Sequence, residues 1–251
     1  MISKSKIKLI KSLEQKKFRD ETGLFIAEGT KLVLELMSIF KCTLLAATND
    51  WIKENKNIIS DEVVEIDLIE LGKISNQKSP QGVLAVFVKP AYYWKSEELN
   101  KKLLLALDDV QDPGNLGTIL RIADWFGITD VFCSEHTADA FQPKTVQATM
   151  GALARVKVHV VNLVDFLQSL KNETPVYGTF MNGENVYSKS ISQHGIIVMG
   201  NEGNGISPEI EKLVTERLLI PNYPEGQATS ESLNVGVATA LVCAEFRRRI
   251  Q

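Results

Sequence analysis

Cysteine is scarce: Cys42, Cys133 and Cys243 are the only three in 251 residues. They lie far apart and form no C-x-x-C pair, which argues against a disulfide framework or a cysteine zinc site and leaves reduced, buried thiols. No metal is expected. Histidine is equally rare, with His136, His159 and His194, and no G-x-S-x-G elbow occurs. A Ser-His-Asp hydrolase is therefore disfavoured. No apolar run is long enough to span a bilayer, and residues 1–20 are too charged for the apolar core of a signal peptide. The expectation is a cytoplasmic chain with no membrane association. Both phosphate fingerprints are missing, G-x-x-x-x-G-K-[ST] and G-x-G-x-x-G alike. That absence counts against a nucleotide-dependent oxidoreductase.

What is present is an ordinary globular composition, 44% hydrophobic and 24% charged, with a net charge of -3. The overall charge gives no signal for nucleic acid, but its distribution is uneven. Within residues 1–20, Lys4, Lys6, Lys8, Lys11, Lys16, Lys17 and Arg19 oppose only Glu14 and Asp20. This is either a phosphate-contacting patch or a solvated helix face.

Apolar runs alternate with helical patterns along the chain. "LFIAE", "CTLLAA", "DEVVEID" and "GVLAVFV" read as strands and "TKLVLELMSIF" as a helix, which makes a small α/β unit. The aromatic and charged stretch at residues 89–102 reads as a linker. Beyond it, "LLLALDD", "DVFCS", "VKVHVV", "PVYGTF", "GIIVMG" and "RLLIP" read as strands of a doubly wound parallel sheet. The helices between or after them are "NLGTILRIADWFG", "KTVQATMG", "VDFLQSLK" and "ESLNVGVATALVCAEFRRR". Ligands of such sheets sit beyond the carboxyl ends of the strands, which points to "DDVQDPGNLG", "GNEGNGIS" and "IPNYPEGQATSESLN".

These loops carry polar residues of an unusual kind. "GNEGNGIS" has three glycines that let a ligand approach backbone, yet it carries Glu202 and no cation, so an uncharged or cationic ligand suits it better than a polyphosphate. Asn115 suits a helix cap. Arg121, among apolar neighbours, either snorkels to solvent or meets an anion. The last helix is apolar almost all round but begins with Ser232, which suits a cap, and Asn234, just inside the helix. Its Gly236, Ala238 and Ala240 permit close approach of another helix.

Together the three loops resemble the motifs of the TrmH/SpoU family of RNA ribose 2'-O-methyltransferases, in the SPOUT superfamily. "DDVQDPGNLGTILRIADWFG" is similar to the first motif, "VMGNEGNGIS" to the second and "LLIPNYPEGQATSESLNVGVATALVCAEF" to the third, where "PEGQATSE" lengthens the usual loop. "SLEQKKFRDETGLFIAEGTKLVLELM" is similar to the start of the family's N-terminal RNA-recognition domain. The implied architecture is α/β: a small RNA substrate-binding domain at residues 1–95 and a parallel-sheet methyltransferase domain with a deep C-terminal trefoil knot at 96–251.

The resemblance also implies S-adenosylmethionine as cofactor, lined by Gly200, Ile220 and Leu233 with Thr179 beside them. It implies RNA as substrate, ribosomal RNA ahead of tRNA, and a homodimer through the knot region. Arg121 would contact the target ribose or phosphate by charge, because a guanidinium stays protonated. Asn115, Ser232 and Asn234 would hold the ribose and the arginine, and Glu202 would orient Arg121 through an ion pair. The alternative reading is a non-catalytic RNA-binding or ribosome-assembly protein on the same fold.

Overall fold

The computed structural model describes residues 1–170, 174–224 and 232–249. The chain forms two compact units, one made of Met1–Ala91 with Asp139–Ala154, the other of Tyr92–Ala138 with Arg155–Gln251.

In the first unit, α1 (Lys4–Ser12), α2 (Lys16–Thr22), β1 (Leu24–Glu28), α3 (Thr30–Met37), β2 (Cys42–Ala47), α4 (Asn49–Glu54), β3 (Val63–Glu65), α5 (Leu68–Ile74) and β4 (Val83–Val88) follow in order. The sheet order is β1-β4-β2-β3, with β4 antiparallel to both neighbours and β2 parallel to β3. Central β4 is therefore buried over Val83–Phe87, whereas edge strand β3 is only half-covered at Val64. Ile10, Leu13, Ile26, Leu44, Leu71 and Leu84 close one side of this core. Two helices, α4 and α5, escape the sequence pattern because they are short and their apolar positions are few. Each nevertheless has a cap: the Thr48 hydroxyl accepts from the Trp51 amide at 3.4 Å and the Asp67 carboxylate from the Glu70 amide at 2.7 Å.

The second unit contains α6 (Ser96–Leu99), β5 (Leu103–Leu107), α7 (Pro113–Trp125) and β6 (Asp130–Cys133); α8 (Pro143–Thr149) follows in the chain but belongs to the first unit. The rest comprises β7 (Lys157–Val160), α9 (Leu163–Ser169), β8 (Val176–Asn185), β9 (Gly195–Met199), α10 (Pro208–Glu211), β10 (Glu216–Leu219) and α11 (Val235–Arg248). All six strands are parallel, in the order β10-β8-β9-β5-β6-β7. Buried on both faces, β5 reads as five consecutive apolar residues, and Leu104, Ala106, Phe132, Phe166, Ile196 and Val198 form the core above it. The chain winds from β5 outward to β7 and then returns to the other side of β5, so the direction of winding reverses between β5 and β9. That reversal opens a crevice at the strands' carboxyl ends.

Placing a single boundary at residues 95 and 96 does not describe these units, because α8 and the turn after it group with the first one. The path through residues 225–231, on which the expected knot depends, lies outside the described residues, as does most of the "PEGQATSE" insertion. Among the described residues no helix is long and apolar enough to cross a membrane.

Candidate active site

The crevice between β5 and β9 is bounded by the loop that follows β5, the loop that follows β9, and the start of α11. The first loop turns sharply at Asp109, which adopts a left-handed backbone with φ 61°. Its amide donates to the Ser134 hydroxyl at 2.9 Å and its carbonyl accepts from the Asn201 carboxamide at 2.8 Å. Buried Asp108 accepts from the Ser207 amide at 2.7 Å. The two loops are thus tied twice before any ligand is considered.

The second loop is closed on itself. Asn201 and Gly205 exchange both backbone hydrogen bonds at 2.9 Å, and the Asn201 side-chain oxygen accepts from the Gly203 and Asn204 amides at 2.9 and 3.0 Å. Gly200 is needed for this closure, because a Cβ there would lie 2.2 Å from the Gly205 carbonyl carbon. Gly200 therefore has a part in the loop's own closure. Gly205, with φ +70° and nothing within 4 Å of a Cβ position, faces open space.

Asn115 joins three loops. Its carboxamide donates to Glu202 at 2.7 Å, and its oxygen accepts from the Asn234 carboxamide at 2.9 Å. The Asn234 oxygen in turn accepts from the Gly236 and Val237 amides at 3.0 and 3.3 Å, capping α11. Two cap assignments therefore change. Asp112, not Asn115, caps α7, accepting from the Asn115 amide at 2.8 Å with Pro113 in the first helical position. Asn234, not Ser232, caps α11, because the helix begins at Val235. Asp112 takes the capping work and leaves the Asn115 side chain to reach across to Glu202.

The expected ion pair between Glu202 and Arg121 is absent among the described residues. Arg121 is exposed on α7, and Glu202 accepts from Asn115 instead. The reason is geometric: six residues along a helix turn Arg121 about 120° away from Asn115. Ser232 is exposed beside Asn234. Gly200 and Ile220 directly follow β9 and β10, Thr179 follows the last β8 residue paired with β9, and Leu233, next to Asn234 in the chain, is 48% exposed. Residues missed by sequence reasoning are Asp108, Asp109, Asp112 and Asn201. The pattern D-P-G-N was a legible cap signal, and Asn201 a legible turn residue.

None of the described loop segments 108–112, 200–207 and 220–224 carries a Lys, Arg or His. Acidic and amide groups with apolar neighbours suit an uncharged or cationic ligand and not a polyphosphate. No group of three His, Cys, Asp or Glu able to hold a metal ion occurs among the described residues.

Residues 102–244 match the SpoU rRNA methylase family, and residues 4–85 match the MRM3-like substrate binding domain. The chain belongs to the SpoU rRNA methylase family. It is 34% identical over 252 residues to the Bacillus subtilis 23S rRNA (guanosine(2553)-2'-O)-methyltransferase RlmP, covering 96% of both chains. Among solved structures, a protein of Porphyromonas gingivalis assigned to the TrmH family of RNA methyltransferases superposes with a TM-score of 0.90 at 42% identity, covering 99% of both chains. An AdoMet-bound rRNA methyltransferase from Sinorhizobium meliloti superposes with a TM-score of 0.85 at 29% identity, covering 100% of this chain and 97% of that one. Within this SpoU methylase, the relay of Glu202, Asn115 and Asn234 draws one residue from each of the three motifs.

Proposed function

We propose that this SpoU methylase transfers the methyl group of S-adenosylmethionine to a ribose 2'-hydroxyl of 23S ribosomal RNA. The observation that carries this reading is the hydrogen-bonded relay across three loops at the winding reversal, in a chain that aligns end to end with a 23S rRNA 2'-O-methyltransferase. S-adenosylmethionine fits the donor set: acceptors and apolar walls without a phosphate-binding cation. Gly200 and Ile220 at the strand ends, Leu233 before Asn234 and Thr179 in β8 are the residues we assign to holding it. When bound, it supplies a methyl group activated by a sulfonium leaving group.

The chain's own residues then have to position the nucleophile and manage its proton. The exposed guanidinium of Arg121 is available to a ribose or phosphate and stabilises charge there while staying protonated. Asn115 and Asn234, rigidly paired, orient the polar edge of the crevice, Glu202 supplies its carboxylate, and Ser232 adds an exposed hydroxyl. A homodimer completes the reading: Trp125 on α7 and Val237 and Leu241 on α11 are 85%, 51% and 36% exposed, apolar side chains available to a second copy. The cytoplasm is the compartment we assign to it, on the reading that its substrate is 23S rRNA.

Purified protein incubated with labelled S-adenosylmethionine and unmodified 23S rRNA transcript is expected to yield a single 2'-O-methylated nucleotide by mass spectrometry. Label transferred only to tRNA, or to neither RNA, sinks the substrate assignment.

A further inference from the structure

A cleft of about 560 Å³ lies within the first unit, and none of its lining residues belongs to the loops described above. Its polar wall is a set of carboxamides from two stretches distant in sequence: Asn76 and Gln77 after α5, and Gln142 and Gln147 at α8. Lys144 and Met150 stand beside them, and Ile26, Ala27 and Ala148 supply an apolar surface. Each carboxamide carries both a donor and an acceptor, the pattern that pairs in register with a nucleobase edge.

Several features show that this wall is built and held. Glu28, 6% exposed, accepts from the Ser75 hydroxyl and from the Asn76 amide at 2.9 Å, which fixes the backbone that presents Asn76 and Gln77. The Gln77 carboxamide donates to Gln147 at 3.1 Å across the cleft, so the two amides satisfy one another until a better partner enters. Met150 is held in the left-handed region at φ 51° with its side chain 48% exposed, and Gly151 follows at φ +97° against Glu35. Met150 takes this conformation as the C-cap of α8, and its polarisable side chain in the cleft lining is a suitable face for an aromatic ring.

Charge decides which part of a nucleotide enters. Glu14 also lines the cleft, and an exposed carboxylate there opposes a phosphate but not a neutral base. Lys144, in the cleft lining, and Lys78, next to Gln77 in the chain, are both exposed cations suited to backbone phosphates. Bases locked in a duplex cannot reach into a cleft, whereas an unpaired base turned out of a loop can.

We infer that this cleft is a base-reading site for one unpaired nucleotide of the substrate RNA, gripped by the carboxamides of Asn76, Gln77, Gln142 and Gln147 against Met150. The inference rests on the RNA methyltransferase reading and adds where substrate selection occurs. It assigns recognition to α8, a segment that matches the methylase family by sequence but folds with the substrate-binding unit.

The test uses the full-length protein and an unmodified 23S rRNA transcript substituted with 4-thiouridine or 6-thioguanosine. Irradiation is expected to crosslink the transcript to peptides containing Gln77 or Gln142–Met150. The double variant Gln77→Ala/Gln147→Ala is expected to raise KM for the transcript about tenfold while kcat, S-adenosylmethionine affinity and Tm stay at wild-type values. Wild-type KM in the double variant overturns the inference, whether the cleft proves idle or takes a free small molecule. If the double variant melts early, the crosslink map decides, and crosslinks confined to other peptides overturn it. Should the wild-type protein bind the transcript without methylating it, the functional reading fails, and the Kd of the double variant still tests the cleft. Absence of transcript binding by the wild type removes both.

Discussion

Asn115 is the residue through which the three loops of the crevice communicate. Replacing it with Ala removes both its bond to Glu202 and its bond from Asn234. We expect Asn115→Ala to lower kcat at least tenfold, with a small fall in Tm, in a methyl-transfer assay beside a thermal melt. Arg121 behaves differently because it has no partner among the described residues to lose. Arg121→Ala is expected to lower kcat by about 10²–10³-fold with an unchanged melting curve, and Arg121→Lys to rescue little, since a point charge does not reproduce the planar fork. The cysteines are a contrast. Burial pushes the Cys133 and Cys243 thiols up to about 12, so neither supplies a thiolate at neutral pH. Iodoacetamide should leave both unmodified in the native protein and label them after unfolding, as read by intact mass. Asn115 was legible as a candidate from sequence, but its partner was not, because the bond to Glu202 spans 87 positions along the chain.

At the scale of elements, α7 and α11 hold the crevice together through their first turns. Asp112 caps α7, and Asp112→Ala is expected to cost about 1 kcal/mol, or roughly 2–4 °C in Tm. It should also lower activity, since the capped turn presents Asn115. The far end of α11 is anchored by Arg249, its C-cap, which donates to the Val186 and Tyr187 carbonyls at 2.9 Å and to Glu245 of the helix. The strands were readable because β5 and β9, covered on both faces, must be apolar throughout. Short α4 and α5 were not, because one buried turn leaves too few apolar positions to set a period. Caps misled in a different way. Several Asp, Asn and Ser residues near each helix start can cap it, and only the backbone angles decide which does.

On the scale of the whole molecule, two predictions concern stability and assembly. Asp130 is buried beside His159, Thr129 and Lys102, at 3.1, 2.8 and 3.2 Å. Burial raises its pKa, but the hydrogen bonds from His159, Thr129 and Lys102 outweigh burial and hold the carboxyl well below its ordinary value. A depressed folded-state pKa contributes stability above the unfolded value near 4 that is lost as pH falls below it. Denaturant melts across acid pH should therefore show wild-type stability dropping below about pH 4, with Asp130→Asn less stable at pH 7 and flatter across that range. For assembly, Trp125→Glu replaces the exposed indole of α7 with a charge, and, on the proposed homodimer, light scattering should report a dimer for the wild type and a monomer for the variant.

The sequence by itself determined the two α/β units, the strands of the parallel sheet, the three strand-end loops and the family, because each depends on local period or on residues close together in a motif. Tertiary structure alone decided that Glu202 meets Asn115 and not Arg121, that Gly200 serves loop closure, and that α8 joins the first unit. Those outcomes depend on which way a side chain points from a helix and on contacts between residues distant along the chain, and neither is encoded in any local stretch of residues.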